Sequence, residues 1–137
     1  MSQSHSNRPF PGSPFPLLPL RSGHLLPGTT LSVPVGRVRS VALLDALSPG
    51  ALLGVVAQRD PAVSDPDEGS LHRTGTIARI ARLERTRDRG YRLVIEGLSR
   101  FSLTGLSTRE PYWKAEGEPL DEPVSDETEA RPSRAEL

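Results

Sequence analysis

Three closely spaced segments between His72 and Leu106 alternate polar and apolar residues, and they restrict the possible folds more than any other feature of the sequence. This alternation is the period of a half-buried β-strand. Residues 85–90 form a predicted turn that ends in Asp-Arg-Gly, and Gly97 permits a bend or bulge between the later two segments. Such short connections predict a strand-rich domain with antiparallel pairing.

The rest of the chain adds shorter strands and one clear helix. The expected elements are strands at residues 17–20, 30–35, 51–57 and 112–118 and a helix at residues 37–48. Pro19 predicts that the first strand lies at a sheet edge, since proline donates no ladder hydrogen bond. The continuous apolar run at 51–57 predicts a buried central strand. We therefore expect a mostly β (α+β) fold of about six strands with one or two helices, as a small β-barrel or a folded antiparallel sheet.

Composition separates a folded middle from two terminal segments. The chain of 137 residues contains 12 Gly and 14 Pro, and large apolar side chains are scarce at both ends. Segments that cannot bury enough apolar surface do not offset the entropy of ordering. We predict a disordered tail at residues 1–16, a folded domain at 17–120, and an acidic linker or tail at 121–137.

Missing residue types exclude several kinds of chemistry. There is no Cys, so disulfides and cysteine nucleophiles are excluded. Lys114 is the only lysine and Ala115 follows it, so the sequence has no Walker A motif. No Gly-x-Ser-x-Gly elbow occurs, and His5, His24 and His72 lack the spacing that places two metal ligands on one helix face. We expect no catalytic residue, metal site or cofactor in this chain.

Targeting signals are missing as well. The sequence contains no apolar run long enough to span a membrane and no basic-then-apolar leader. We expect a cytoplasmic protein that makes no membrane contact.

Charge is unevenly distributed although the formal net charge is zero. Seven arginines against two acids lie between Arg73 and Arg92, and eight acids against two arginines follow from Glu116 onward. The predicted hairpin at 79–92 is the candidate contact for nucleic acid or an acidic partner. Its candidate residues are Arg82, Arg85, Arg87 and Arg89. Only 4% of residues are aromatic and the hairpin tip has none to stack on a base, so a solvated face or edge protection is the alternative.

Two apolar or cationic segments are candidates for protein binding. Gly36 frees the backbone before the helix, and Arg37, Val38 and Arg39 open it. Val38 lies away from the apolar face that carries Leu43 and Leu47, so we expect it to be exposed. Cations at a helix N-terminus oppose the dipole, which suggests a use outside the helix. Leu25 and Leu26 form a second candidate, as an exposed apolar patch that holds unfolded chains; the alternative is that they fill the end of the sheet interior.

The order of several short motifs resembles the amino-terminal domain of Lon proteases. The matching segments, in chain order, are Leu18-Pro19-Leu20-Arg21, Pro27-Gly28, Val35-Gly36-Arg37, Val55 to Asp60, Thr74 to Ile80, Val94 to Leu98 with Arg100, and Tyr112 to Pro119. Each motif alone is weak, but their order and spacing together are fairly specific. The resemblance covers residues 17–123.

This resemblance implies a PUA-like β-barrel that helps to recognise unfolded or tagged protein substrates. In Lon enzymes a helical region, an ATPase module and a Ser–Lys peptidase follow this domain, and six copies form a ring. ATP and magnesium are implied only for those later modules. The resemblance therefore favours an excised, non-catalytic substrate-binding domain over the alternatives, a nucleic-acid-binding PUA-like module or a stand-alone Lon-domain protein.

Overall fold

Six strands and one helix make up the part of the chain that the computed structural model describes, residues 10–21 and 23–120. The strands are β1 (Phe15–Leu20), β2 (Thr30–Val35), β3 (Leu52–Ala57), β4 (Thr74–Arg85), β5 (Tyr91–Thr108) and β6 (Lys114–Pro119). The helix α1 spans Val38–Asp45, and Glu68–Ser70 form one 3-10 turn. The predicted mostly β fold with about six strands is confirmed.

The sheet follows the order β2-β5-β4-β3-β1-β6, and β6 pairs back onto β5. β1 and β3 run parallel, while every other pair is antiparallel. The sheet turns on itself because β5 is long enough to pair with three strands: β2 along residues 91–96, β4 along 91–102 and β6 along 101–108.

The two strands predicted around Gly97 are one continuous strand. Its register against β4 shifts by one residue beside Gly97, as Ala78 pairs with Gly97 and Ile77 with Ser99. Such a bulge bends a strand and increases its twist without ending it. The predicted bulge was therefore placed correctly, but the predicted break was wrong.

β1 is an interior strand rather than the edge strand that Pro19 predicted. It lies between β3 and β6, although β6 pairs only with Phe15 and Pro16. The Leu17 N–H points toward β6 and bonds to the Trp113 carbonyl at 2.9 Å, so Pro19 faces the same side by the two-residue period. No strand lies opposite Pro19 there, and its missing N–H therefore costs no ladder bond.

Alternate residues of β1 contribute to two separate apolar clusters. Leu18 and Leu20 pack in the cluster beneath α1, together with its Leu43 and Leu44. A second cluster surrounds the edge-to-face pair Phe15 and Phe101, whose ring centroids lie 5.2 Å apart. The helix is shorter than the predicted 37–48. Residues 46 and 47 bond back by only three positions, which closes the last turn before Pro49.

The turn between β4 and β5 uses its glycine for space rather than for backbone conformation. Arg89 carries the positive φ, at 69°, and Gly90 does not. A Cβ at Gly90 would collide with the carbonyl oxygen of Val35 at the end of β2. The hairpin tip is thus held close to the start of α1.

Packing extends into residues that were predicted as tail. β1 begins at Phe15, which is buried, and the Phe10 ring packs on it with centroids 5.6 Å apart. Residues 1–9 and the predicted acidic segment 121–137 lie outside the described residues. Within residues 10–21 and 23–120, no helix has the length and apolar character to cross a membrane.

Candidate functional site

The candidate segment Arg37–Arg39 forms the first turn of α1, directly after β2. Its three side chains lie in different environments. Val38 is 84% exposed, as expected from its position away from the apolar helix face, whereas Arg37 and Arg39 are half-buried.

Arg37 connects α1 to β1 and to the polar loop at residues 59–70, here called the acidic loop. Its Nη1 donates to Gln58 Oε1 at 2.6 Å, and its Nη2 donates to the Pro19 carbonyl at 2.7 Å. Gln58 is 5% exposed, and it connects Arg37 to the acidic loop because its Nε2 donates to the carbonyls of Asp60 and Val63. Burial lowers the pKa of Arg37, and the nearby charge of Arg21 lowers it further.

Arg39 contacts the middle of the acidic loop. Its Nε donates to Asp65 Oδ1 at 2.8 Å, and its Nη1 lies 2.8 Å from Glu110 Oε2. Arg109 Nη2 donates to the second oxygen of Asp65, also at 2.8 Å. The hydrogen bond from Arg39 lowers the pKa of the Asp65 carboxyl. We call Arg37, Arg39 and Arg109 the loop arginines.

Trp113 lies beneath this ion-pair network. The guanidinium carbons of Arg37 and Arg39 lie 5.6 and 5.8 Å from its ring centroid, within the range of a cation–π contact. Its Nε1 donates to the Pro66 carbonyl at 3.0 Å. The cations at the start of α1 therefore have a structural use, because they hold the acidic loop against the sheet. Their direct contact with a binding partner stays a prediction.

Sequence reasoning missed the partners of the loop arginines. Gln58, Asp65 and Arg109 lie between 21 and 70 positions away from the arginines that contact them. The one available signal was a group of acids in the acidic loop without cations of its own beyond Arg59. That excess of acid predicts cationic partners but does not name them.

Three clefts meet at Gly36. The first, which we call the strand cleft, has a volume of about 440 Å³ and lies among Leu20, Arg21, Val33, Gly36 and Ser40. The second, the hairpin cleft, has about 690 Å³ and is lined by Tyr91, Arg87 and Arg92 on its hairpin side. Pro34, Val35 and Gly36 are shared by both.

The third, the loop cleft, has about 510 Å³ and opens beside the exposed Val38. Its lining also includes Arg39, Asp65 and Glu110, which neutralise one another. The candidate segment is therefore surrounded by space on several sides.

Leu25 and Leu26 do not act as a pair. Leu25 is buried in the cluster beneath α1, and its carbonyl accepts a hydrogen bond from Thr76 Oγ1 at 2.7 Å. Leu26 is 49% exposed. Both line a separate small cleft of about 80 Å³ next to His24. The expected apolar patch is thus reduced to one side chain, because Leu25 fills the interior as the alternative reading predicted.

The four arginines predicted at the hairpin are not equivalent. Arg85 Nη1 lies 3.0 Å from Asp45 Oδ1 and 2.9 Å from the Tyr91 hydroxyl, and that hydroxyl raises the pKa of Arg85. Arg82 faces Glu84 at 3.9 Å. Arg87 and Arg89 form no ion pair with any residue in the described ranges.

Of these four, Arg87 lines the hairpin cleft, where it is joined by Arg92, which the site prediction omitted. Arg92 lies in the first part of β5, which was predicted as a strand. Pro34, which is opposite Arg92 in the pairing of β2 with β5 and lines the same cleft, lies 58 positions earlier in the sequence.

His24 and His72, distant in sequence, come together with ring centroids 5.7 Å apart. No third ligand joins them: in the described part of the chain, no group of three or more His, Cys, Asp or Glu side chains is arranged to hold a metal ion.

Comparison with known sequences identifies the family. A model of the ATP-dependent protease La (LON) substrate-binding domain matches residues 14–136. The chain is 54% identical to Lon protease 4 of Sorangium cellulosum over its whole length, which covers 17% of that relative. It is 38% identical to Lon protease 2 of Myxococcus xanthus over 82% of this chain and 14% of the relative. The chain thus spans less than a fifth of the length of these two relatives.

Solved structures agree with this assignment. The Lon N-terminal domain protein from Xanthomonas campestris superimposes with a TM-score of 0.59 at 26% identity, over 80% of this chain and 60% of that one. The N-terminal domain of a Mycobacterium avium complex Lon protease gives a TM-score of 0.60 over 83% and 57% of the two chains, and at 18% identity it supports the fold alone. The family match and the high identity to Lon proteases lead to one conclusion: this chain belongs to the Lon substrate-binding domain family.

Proposed function

We propose that this domain captures exposed apolar segments of unfolded or tagged proteins for a Lon-type ATP-dependent serine protease. The family match over residues 14–136 carries this proposal, and the exposed Val38 in the lining of the loop cleft supports it. Unfolded chains present apolar side chains that folded proteins bury, and an exposed apolar side chain beside a cleft offers them a place to bind.

In this proposal the domain acts without catalytic residues of its own, in the cytoplasm, as one of six copies on a ring. Weak capture at each copy is strengthened because neighbouring copies raise the effective concentration of the bound chain. ATP and Mg²⁺ serve the ATPase module of the whole enzyme rather than these residues. The family match does not favour the alternative of nucleic-acid binding through residues 79–92, and the pairing of Arg85 with Asp45 leaves fewer free cations there.

The test is the binding of a fluorescently labelled, unstructured peptide that contains leucine and valine but no charged residue. We expect measurable binding and a loss of about fivefold on Val38→Ser, since partial burial of one valine is worth about 1 kcal/mol. Leu120→Ser is the matched control, because Leu120 is also exposed but does not line the clefts at Gly36. Equal losses in both variants, or no binding to the unchanged chain, would contradict the proposed site.

A further inference from the structure

The strand cleft and the hairpin cleft share an apolar wall that ends in an unpaired strand edge. Pro34 and Val35 of β2 contribute this wall, and Val33 extends it within the strand cleft. In the described sheet β2 pairs with β5 on one side only, so the backbone polar groups along its other edge have no strand partner, although Pro34 has a C=O and no N–H to offer. An extended polypeptide is the ligand shape that such an edge accepts.

Both clefts are lined by arginines that form no ion pair within residues 10–21 and 23–120. Arg21 and Arg37 line the strand cleft, and Arg37 donates only to neutral oxygen atoms, those of Gln58, Pro19 and Ser64. Ser40 lines the same cleft, and its buried hydroxyl has no hydrogen-bond partner among the described residues.

The lining of the hairpin cleft contains Arg87, Arg92 and one acid, Asp88, and Glu84 lies opposite Arg92 on β4 beyond ion-pair distance. The Asp88 carboxylate already accepts a hydrogen bond from Thr86 Oγ1 on the same turn. Neither arginine forms an ion pair within residues 10–21 and 23–120. The loop cleft differs, since its lining includes Asp65 and Glu110, which pair with Arg39, as well as Arg37.

We propose that the strand and hairpin clefts bind an extended segment in which carboxylates flank an apolar residue. The apolar side chain packs against Val33, Pro34 and Val35, while the carboxylates pair with Arg21 on one side and Arg87 and Arg92 on the other. Arginine suits this role because its planar guanidinium pairs with a carboxylate through two parallel hydrogen bonds. This inference rests on the proposed function and adds a preference for acidic flanks to it.

The test compares three labelled peptides of equal length with the same leucine–valine centre and with flanks of glutamate, serine or lysine. Binding is measured by fluorescence anisotropy in about 0.15 M salt. At this ionic strength charges more than roughly 8 Å apart are largely screened, so only arginines close to the peptide contribute strongly to its affinity. We expect the glutamate-flanked peptide to bind about tenfold more tightly than the lysine-flanked peptide, with the serine-flanked peptide between them. Arg87→Glu removes this preference, and Arg92→Gln weakens it.

Arg89→Glu is the matched control, because it makes the same change of charge on the same turn outside the cleft lining. Circular dichroism on each variant checks folding, and Arg87→Ala provides a second, milder variant. Equal affinity for the three peptides overturns the inference but leaves the proposed function standing. A loss on Arg89→Glu equal to that on Arg87→Glu also overturns it, since bulk charge then explains the preference. If none of the three peptides binds, both the inference and the proposed site fail.

Discussion

The loop arginines and the two arginines at the hairpin tip, Arg87 and Arg89, place the same side chain in opposite environments. The loop arginines donate hydrogen bonds to acceptors of the acidic loop and of β1, and two of them, Arg37 and Arg39, also lie against Trp113. Arg87 and Arg89, at the hairpin tip, have no carboxylate within ion-pair distance in the described part of the chain. The difference arises from where the fold brings acids, because nothing in the local sequence separates the two groups. Arginines that are already paired hold the fold together, and unpaired arginines remain available to a ligand.

The largest effect is expected for Arg37→Ala. This change leaves the buried Gln58 oxygen and the Pro19 carbonyl without their donor, and a buried unsatisfied polar group costs about 1–3 kcal/mol. We expect the free energy of unfolding in urea to fall by about 2–3 kcal/mol, and amide exchange in the acidic loop to accelerate. Arg87→Ala is the control for the loss of an arginine. A fall no greater than that of the control would show that Arg37 does not hold the loop.

A smaller effect is expected for Asp65, and it depends on pH. The pKa of Asp65 is lowered in the folded protein, so its stabilising contribution is present above its unfolded pKa of about 3.9 and is lost as the pH falls toward the folded pKa. Asp65→Asn should therefore be less stable than the unchanged chain at pH 7, and the gap should close below about pH 4. The carboxylate is 51% exposed, so screening keeps this gap below about 1 kcal/mol.

Urea unfolding at several pH values between 7 and 3 measures the gap for Asp65→Asn. Glu118→Gln removes an exposed carboxylate outside this network and should leave a difference that does not change with pH. A gap for Asp65→Asn that persists at pH 3 would mean that the side chain acts through its shape rather than its charge.

The smallest effect on stability is expected at the hairpin tip. Arg87→Ala and Arg89→Ala should each change the free energy of unfolding by less than about 0.5 kcal/mol, as is usual for exposed positions without partners. The two should separate in binding, since only Arg87 lines the hairpin cleft. Arg87→Ala should lower the affinity for the glutamate-flanked peptide, whereas Arg89→Ala should leave that affinity unchanged. A large loss of stability in Arg87→Ala would remove the contrast with the loop arginines.

Local patterns were sufficient for most of the secondary structure. β2, β3 and the hairpin between β4 and β5 lie near the residues where the alternation or the apolar run predicted them. Their side chains alternate between the two faces of the sheet with a period of two residues, which a local pattern reveals. Predictions failed where a distant segment decided the outcome. Pro19 indicated an edge strand, but β6 pairs with β1 only at Phe15 and Pro16 and so leaves Pro19 room inside the sheet.

The candidate site also has one part that the sequence predicted and another that depended on distant segments. Val38 was predicted to be exposed from helix periodicity alone, and it is. Two other features could be seen only in the folded sheet. Arg39 pairs with Asp65, and Arg87 and Arg92 line one cleft together with Pro34. Charges interact through space, and residues tens of positions apart become neighbours only when the strands between them are placed.

By itself, the sequence determined the strand-rich class, the helix with its exposed Val38, the absence of cysteine and of a Walker A motif, and the resemblance to Lon amino-terminal domains. These follow from residue type and short-range spacing, which do not depend on the arrangement of the sheet. Only the tertiary structure decided which arginines are neutralised and which face the clefts at Gly36. The physical reason is that an ion pair depends on distances of a few ångströms, and those distances are set by the path of β5 and the closure through β6.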